Sequence, residues 1–309
     1  MAIQISVVVC TFNRANYLRK AIQSLIKQSL ETNSYEILVV DNRSTDETKQ
    51  VITQEFSHIP NLRYLYEPIQ GLSQARNTGW QNALGNYVAY LDDDAIASFR
   101  WLENIIKVFE TVTPKPGAVG GKVEPIWEFS KPSWLNDRFL PYLTIIDWSA
   151  VPTRLDDTNY YIAGANMAFP KSVLELVQGF PVKLGRQGKK LLSNEELFLA
   201  KKIKQSDYSI YYVPELLVKH HIVKSRLNKQ WFFQRIYWQG VSDAFFLSHE
   251  TSHSYVERCQ LAIAELKQLL KRLKNINEQK DLNHEEFSFI NQCFFLEKIG
   301  YIWGLLKVF

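Results

Sequence analysis

The alternation of short apolar runs with segments of helical periodicity in the first 94 residues constrains the fold more than any other feature. The apolar runs are rich in β-branched and aromatic residues and predict strands at residues 3–10, 36–40, 62–66 and 87–91. The segments between them predict helices at 17–28 and 73–84, and Ser44 and Glu47 fit a capping box that begins another helix. Strands joined by helices through short turns predict an α/β fold, in which a mostly parallel sheet is flanked by helices.

Polar residues directly follow three of these predicted strands, at 11–14, 41–45 and 92–94. In parallel α/β sheets, ligands bind beyond the carboxyl ends of the strands. We therefore expect these clusters to contribute to one binding site. Thr11 and Asn13 have a second interpretation, because either side chain suits the N-cap of the helix that follows.

The cluster Asp92-Asp93-Asp94 is the strongest chemical signal in this part of the chain. Like charges a few ångströms apart raise one another's pKa and destabilise the ionised state. A divalent cation removes that conflict, and carboxylate oxygens suit Mg²⁺ or Mn²⁺. The predicted cofactor is therefore Mg²⁺ or Mn²⁺ bridging the phosphates of a ligand. The alternative is a solvated acidic turn.

The remainder of the chain is less regular. The Pro- and Trp-rich stretch 113–160 predicts a loop-rich insertion, whereas 171–177 and 195–205 predict helices and 208–213 predicts a strand. From about residue 224 the composition changes: aromatic residues crowd 231–246, and apolar residues between 256 and 273 recur three and four apart, as in a heptad stripe. We therefore expect one domain over 1–222 and a helical region over 223–309.

The overall charge and the cysteine content exclude several classes of protein. A net charge of +4, from 36 basic and 32 acidic residues, is too small to predict a nucleic-acid partner. The three cysteines have neither zinc-type nor disulfide-framework spacing, which favours a reducing compartment. The first ten residues predict a strand rather than a signal peptide, and no run of about twenty apolar residues predicts a membrane span. We expect a cytoplasmic location, with the inner face of the membrane as its alternative.

Six short motifs occur in an order that resembles the family 2 glycosyltransferases, which have the GT-A fold and transfer a sugar with inversion. The motifs are VVVCTFNR at 7–14, ILVVDNRSTD at 37–46, GLSQARNTG at 71–79, LDDD at 91–94, GANMAF at 164–169 and NEE at 194–196. The segment 202–220, which ends in YYVPELLVKH, also fits the family. Each motif alone is weak, but the ordered set covers about 1–222. The resemblance implies that this range is a catalytic GT-A domain.

The resemblance also implies a site for a nucleotide-sugar donor. The residues expected to contact the nucleotide, its phosphates or the sugar are Thr11, Asn13, Arg14, Asp41, Ser44, Arg76, Asn77, Asp92, Asp93, Gly164 and Asn166. Asp41 is expected to accept a hydrogen bond from the base, which favours a UDP-sugar over a GDP- or dTDP-sugar. Gly164 and Asn166 are expected to line the sugar and acceptor site. The alternative for Arg76 is an ion pair with a surface carboxylate.

The expected metal ligands are Asp92, Asp94 and His220. The resemblance makes Asp94 the favoured direct ligand and brings His220 near the metal or the diphosphate. Because His220 is followed by His221, we expect one of the two histidines to be structural.

The expected catalytic base is one of two adjacent glutamates, Glu195 and Glu196. A base must take the proton from the acceptor hydroxyl, and a carboxylate within hydrogen-bond reach meets that need. The family usually has Glu-Asp before a helix in this position, so the second residue here departs from the pattern by one methylene. The register of the motif favours Glu196 as the base and leaves Glu195 as the second choice. The alternative is that both acids only stabilise the start of a helix.

The acceptor implied by the resemblance is a glycan or a lipid-linked saccharide in polysaccharide biosynthesis. One alternative is a sugar nucleotidyltransferase, which is disfavoured because 8–14 lacks the glycine-rich triphosphate loop of such enzymes. A non-catalytic glycan-binding or scaffold protein is the other, and the intact acidic set disfavours it.

The C-terminal region has two interpretations. Residues 219–280 carry about eleven Lys or Arg against about five Asp or Glu, and aromatic residues lie among them, as in segments that bind anionic membranes. Alternatively the aromatics pack on the catalytic domain, and the stripe at 256–273 is the seam of a hairpin with 294–309 or the contact of a homodimer.

Overall fold

The computed structural model describes residues 2–156, 160–188, 190–250, 253–276 and 284–307. The chain divides into two compact units. The first, here called the sheet unit, comprises Met1–Trp127, Leu143–Lys183 and Glu195–Ile222. The second, here called the helical unit, comprises Glu128–Tyr142, Leu184–Asn194 and Val223–Phe309.

The sheet unit contains a mixed sheet with helices on its faces. The described strands are β1 Ile5–Thr11, β2 Tyr35–Asp41, β3 Leu62–Tyr66, β4 Tyr87–Leu91, β5 Ala95–Ala97, β6 Pro116–Trp127, β7 Thr153–Arg154, β8 Asn166–Pro170 and β9 Ser209–Ile222. The described α-helices are α1 Ala15–Leu25, α2 Thr48–Gln50, α3 Leu72–Gln81, α4 Trp101–Thr111, α5 Lys171–Val177 and α6 Glu195–Gln205. A π-helical turn, Val51–Glu55, continues α2.

The strand order among the described residues is β3-β2-β1-β4-β8-β6-β9-β5, with β7 paired to β9. The first four strands are parallel, and β8 lies antiparallel between β4 and β6. Side chains of β1 alternate between two cores: Val7 and Val9 pack with α1 and α4, while Val8 packs with residues of α3 and α5. Burial on both faces explains the continuous apolar runs, and it confirms the predicted α/β sheet flanked by helices.

The loop-rich insertion predicted at 113–160 is wrong in its first part. Residues Pro116–Trp127 form β6, which pairs with both β8 and β9 inside the sheet. Glycines weaken the strand pattern in this part of the sequence, but the packing of the strand requires them. A Cβ on Gly120 would lie 2.6 Å from the Ile162 side chain, and one on Gly121 would lie 2.2 Å from the Leu216 carbonyl oxygen.

The predicted capping box at Ser44–Glu47 is also wrong. The helix begins at Thr48, and Asp46 Oδ1 accepts hydrogen bonds from the Thr48 amide and hydroxyl. The other oxygen, Oδ2, accepts from the Ala15 amide at the start of α1. One aspartate therefore serves the starts of two helices, and neither Thr11 nor Asn13 caps α1 through its side chain.

The helical unit is built from α7 Lys229–Glu250, α8 Tyr255–Ile276 and α9 His284–Lys307. Phe232 on α7 is fully buried and packs edge-on against Trp134 and Phe139, with Phe289 of α9 beside it. Phe232, one of the aromatic residues of 231–246, therefore belongs to the core of this unit. Among the described helices, none is long and apolar enough to cross a membrane.

The heptad stripe of α8 does not form the predicted hairpin seam. Helix α8 packs on α9 through a different face, on which Ala262 and Leu269 are buried. The stripe itself, with Val256 and Leu270 among its members, remains exposed.

Candidate active site of the sheet unit

The carboxyl ends of β1 and β2 bring two of the predicted polar clusters together. Thr11 and Asp41 are paired residues in the register of these strands. Asn13 joins the two loops that follow these strands. Its backbone amide donates to Ser44 Oγ at 2.9 Å, and its side-chain Oδ1 accepts from the Thr45 backbone amide at 2.7 Å. Asn13 has φ of +54°, a conformation that asparagine tolerates better than most residues. Asn13 and Ser44 thus fix the shape of this edge of the sheet.

Asp41 is held in place from two directions. Its Oδ1 accepts from the Ser44 amide at 2.8 Å, and its Oδ2 accepts from the hydroxyl of Tyr64 at 2.8 Å. Burial raises the pKa of Tyr64, and the hydrogen bond to Asp41 raises it further. Each carboxylate oxygen keeps a second lone pair, which is the capacity that recognition of a base N–H requires. Sequence reasoning missed Tyr64, because only the register of β3 against β2 brings it to Asp41.

Arg14 pairs with two of the three carboxylates of the acidic motif that follows β4. Its Nη1 donates to Asp93 Oδ1 at 3.2 Å and also contacts Asp94 Oδ2. Asp93 Oδ2 accepts from Thr11 Oγ1 at 2.7 Å. Burial raises the pKa of Asp93 to about 6, with the charge of Arg14 acting in the opposite direction. Asp93 and Asp94 are therefore buried and paired, while Asp92 is partly exposed, so the alternative of a solvated acidic turn is wrong for two of the three residues.

His220 reaches the acidic motif because β5 pairs antiparallel with β9. This pairing sets Ala95 opposite His220, and the His221 amide donates to the Asp94 carbonyl. His220 Nε2 lies 3.0 Å from Asp94 Oδ1, and both side chains are buried. His221 lies against the ring of Tyr17, with 5.4 Å between ring centroids. Because successive side chains of a strand point to opposite faces, His220 contacts Asp94 while His221 contacts Tyr17.

Asp92, Asp94 and His220 form a donor set that fits a divalent cation. One ligand atom from each residue lies within 4.8 Å of the others. Three donors about 2.0–2.4 Å from a common ion are separated by distances of this size or less. Two carboxylate oxygens and an imidazole nitrogen suit Mn²⁺, and the carboxylates also suit Mg²⁺.

Arg76 connects the acidic motif to the predicted base. Its Nη1 lies 2.9 Å from Glu195 Oε1 and 3.3 Å from Glu196 Oε1, and its Nη2 lies 3.9 Å from Asp92 Oδ1. Burial alone would lower the pKa of Arg76, but these three carboxylates outweigh it and the pKa is raised. The partners of Arg76 are thus buried or partly buried carboxylates, not the surface carboxylate of the alternative interpretation. The two glutamates differ in access: the Glu195 side chain is 3% exposed and that of Glu196 is 19% exposed.

Gly164 lies against this ion-pair cluster. A Cβ at this position would be 2.2 Å from both Arg76 Nη2 and Glu196 Oε1. Because both atoms belong to the charged network, any larger residue would displace one of its members. Gly164 therefore borders the predicted base, and its role in the sugar and acceptor site stays a prediction.

Two predicted site residues have structural contacts instead. Asn166 is 1% exposed: its Oδ1 accepts from Trp101 Nε1, and its Nδ2 donates to the carbonyls of Lys122 and Leu216. Asn77 exchanges hydrogen bonds with the backbone amide and carbonyl of Phe180. These contacts occupy both side-chain amides. We therefore leave Asn166 out of the proposed sugar site and Asn77 out of the proposed phosphate site.

Comparisons with known proteins agree on the family. The model of "Glycosyl transferase family 2" matches residues 6–176, which is more than half of the chain. A glucosyl-dolichyl phosphate glucuronosyltransferase of Haloferax volcanii is 27% identical over 310 residues, covering 98% of this chain and 96% of the relative.

Solved structures share the fold. A mannosyltransferase of Pyrobaculum calidifontis, in complex with GDP-Man and Mn²⁺, superposes with a TM-score of 0.64 at 18% identity and covers 98% of this chain and 88% of its own. S. aureus TarS 1–349, in complex with UDP-GlcNAc, gives a TM-score of 0.52 at 18% identity, covering 78% of this chain and 66% of its own. The fold is thus that of the GT-A glycosyltransferases. With the matched family model, the chain belongs to glycosyl transferase family 2 and is a glycosyltransferase.

We predict that Asn166→Ala destabilises the protein without changing its affinity for a nucleotide ligand. The substitution leaves the Trp101 Nε1–H and two backbone carbonyls unpaired, and each buried polar group left unpaired costs about 1–3 kcal/mol. Chemical denaturation measures the loss, and calorimetry on the folded variant measures nucleotide binding. The matched control is Asn104→Ala, since Asn104 is only partly buried and donates a long hydrogen bond, 3.4 Å, to the Glu215 carbonyl. If Asn166→Ala had native stability but bound the nucleotide more weakly, this prediction would be wrong and Asn166 would belong to the binding site.

Proposed function

We propose that this enzyme transfers a sugar from a nucleoside diphosphate donor to an acceptor hydroxyl in a single displacement with inversion. The observation that supports the proposal is that Arg76 connects the acidic motif to the two glutamates. A donor set suited to a divalent cation, Asp92 with Asp94 and His220, lies next to two glutamates that share the same arginine. The proposed metal site and the proposed base are thus neighbours in one ion-pair network.

Metal ligands and an arginine have separate proposed roles near the diphosphate of the donor. Asp92, Asp94 and His220 would hold Mg²⁺ or Mn²⁺, and the bound ion would neutralise charge on the departing diphosphate. Arg14 is the further cation at this end, through its contacts to Asp93 and Asp94. Guanidinium groups suit phosphate oxygens because they present several donors in one plane.

Glu196 is the proposed base. As the acceptor oxygen bonds to the anomeric carbon, the bond to the diphosphate oxygen breaks with its electron pair, and Glu196 takes the hydroxyl proton. Glu196 is the more accessible of the two glutamates, and Arg76 and Gly164 restrict its position. Glu195 is almost completely buried against Arg76, which suits a residue that orients the arginine.

The proposed donor is a UDP-sugar. Asp41, fixed by Ser44 and Tyr64, has the acceptor capacity for the N3–H of uracil. The two structural neighbours bind different nucleotides, UDP-GlcNAc in TarS and GDP-Man in the mannosyltransferase. A test of the donor therefore has to compare both bases.

The proposed acceptor is a lipid-linked saccharide or a growing glycan. The name of the full-length relative of Haloferax volcanii specifies a dolichyl phosphate-linked sugar. A lipid-linked acceptor implies that the enzyme works at the cytoplasmic surface of a membrane, which the basic C-terminal region would favour.

We predict that a nucleoside diphosphate stabilises the protein only with Mn²⁺ or Mg²⁺, and that Asp94→Asn abolishes this effect. Ligand at about 100 times its dissociation constant adds about 2.7 kcal/mol to the free energy of unfolding. Thermal-shift measurements with UDP and GDP, with and without Mn²⁺, are compared with each variant's own ligand-free baseline. UDP is expected to give the larger shift. The matched control is Asp207→Asn, because Asp207 is exposed and its positive φ also suits asparagine. An equal, metal-dependent shift in Asp94→Asn would contradict the metal assignment.

We predict that Glu196→Gln lowers kcat by about 10²–10⁴-fold while leaving the donor KM nearly unchanged, because it removes the proton acceptor and leaves Glu195 and Asp92 paired with Arg76. Glu196→Asp restores a carboxylate and is expected to recover much of the rate. Glu195→Gln is the matched comparison, and it is expected to lose stability because it weakens the buried partner of Arg76. If Glu195→Gln is inactive at native stability while Glu196→Gln remains active, the roles of the two residues are reversed.

A further inference from the structure

Helix α8 carries an apolar stripe that the packing of the helical unit leaves exposed. Its members are Val256, Cys259, Ile263, Leu266, Leu270 and Leu273. The five aliphatic side chains are 44–63% exposed, and Cys259 is partly exposed. Large aliphatic groups in a continuous row on a surface helix mark an interaction site more often than isolated ones do.

The spacing within the stripe is that of a coiled-coil seam. The intervals are three, four, three, four and three residues, so the stripe alternates a and d positions over two and a half heptads. A strict a/d stripe is narrower than the apolar face of an ordinary surface helix. One edge is bounded by the face that packs on α9, through Ala262 and Leu269. The other edge carries exposed polar residues, including Gln260 and Lys267.

We propose that the stripe docks on the same stripe of a second copy of this chain, with the two α8 helices antiparallel. The sequence is self-complementary in that direction. Antiparallel pairing sets Val256 opposite Leu273, Cys259 opposite Leu270, and Ile263 opposite Leu266, so each a position meets a d position of the partner. A two-fold axis between Ile263 and Leu266 generates all six layers, as an isologous interface requires.

The order of charges along the polar edge selects the antiparallel direction. Glu257 lies near the start of α8, where its carboxylate also accepts hydrogen bonds from Ser254, and Lys267 and Lys271 lie towards the end. Antiparallel helices bring Glu257 of one copy towards Lys271 of the other. Parallel, in-register helices would leave Glu257 and Lys271 about 21 Å apart along the axis, because each residue is separated by a rise of about 1.5 Å, so this attraction would be absent.

The same charge order disfavours a lipid surface as the occupant. Helices that lie in a membrane interface have a wide apolar face and cations along their polar face. Here the apolar stripe is narrow, its first turn carries Glu257, and its other edge is occupied by contact with α9. The proposal is independent of the reaction assigned to the sheet unit.

The first test is the mass of the full-length protein in solution. Analytical ultracentrifugation is expected to show a concentration-dependent shift from the monomer mass of 36.0 kDa to twice that value. The double variant Ile263→Glu with Leu266→Glu puts four carboxylates at the two-fold axis and is expected to remain monomeric, with unchanged helical content by circular dichroism. Gln268→Glu adds a charge on the same helix away from the stripe and is expected to dimerise normally.

A cross-linking test fixes the orientation. Leu270→Cys places a thiol opposite Cys259 of an antiparallel partner, so mild oxidation is expected to give a disulfide-linked dimer that disappears when Cys259→Ser is added. Wild-type protein is expected to give none, whereas a parallel seam would link Cys259 to itself. Three results would overturn the proposal: a monomer at every concentration, a dimer that the Ile263→Glu/Leu266→Glu variant retains, or wild-type cross-linking through Cys259. Binding of a monomeric protein to anionic vesicles that the same double substitution abolishes would also overturn it and assign the stripe to a lipid surface.

Discussion

The buried guanidinium of Arg76 is the interaction on which the site depends. A buried charge is stable only when it is paired, and Arg76 has three carboxylate partners that come from two distant parts of the sequence. Asp92 follows β4, whereas Glu195 and Glu196 form the first turn of α6. Removing the arginine would leave three acids close together, and removing an acid would leave a buried cation underpaired. Glycine at position 164 suits this network, since a Cβ there would displace Arg76 Nη2 or Glu196 Oε1.

The positions of the other candidate site residues are set by the strands that they follow or end. Parallel strands β2, β1 and β4 bring Asp41, Thr11 and the acidic motif to one edge of the sheet. The short antiparallel strand β5 then turns the chain back so that His220, on the last strand, meets Asp94. Charges of opposite sign are therefore interleaved across the edge, with Arg14 beside two carboxylates and Arg76 beside three others. This arrangement suits a ligand that carries a diphosphate and a developing negative charge.

Much of the fold was predictable because local patterns agree with the tertiary structure. Strands 62–66 and 87–91 and helices 171–177 and 195–205 have the predicted boundaries, since each is flanked by clear turn signals. Strand β6 was not predictable, because its glycines are required by contacts with Ile162 and Leu216 that the sequence does not reveal. The start of α2 was misjudged because Asp46, rather than Ser44, supplies the capping oxygen. Tyr64 and Asn166 illustrate the limit for site residues: strand register brings the first to Asp41, and burial gives the second a structural role.

The most direct test of the central claim concerns the ligands of the metal ion. Electron spin-echo envelope modulation of Mn²⁺, bound together with UDP, detects a coordinating imidazole through its ¹⁴N coupling. The coupling is expected in the wild-type protein and in His221→Ala, and it is expected to disappear in His220→Ala, because only His220 shares the donor set with Asp92 and Asp94 among the described residues. A ¹⁴N coupling that persists in His220→Ala, or that is absent from the wild-type complex, would contradict this account of the site.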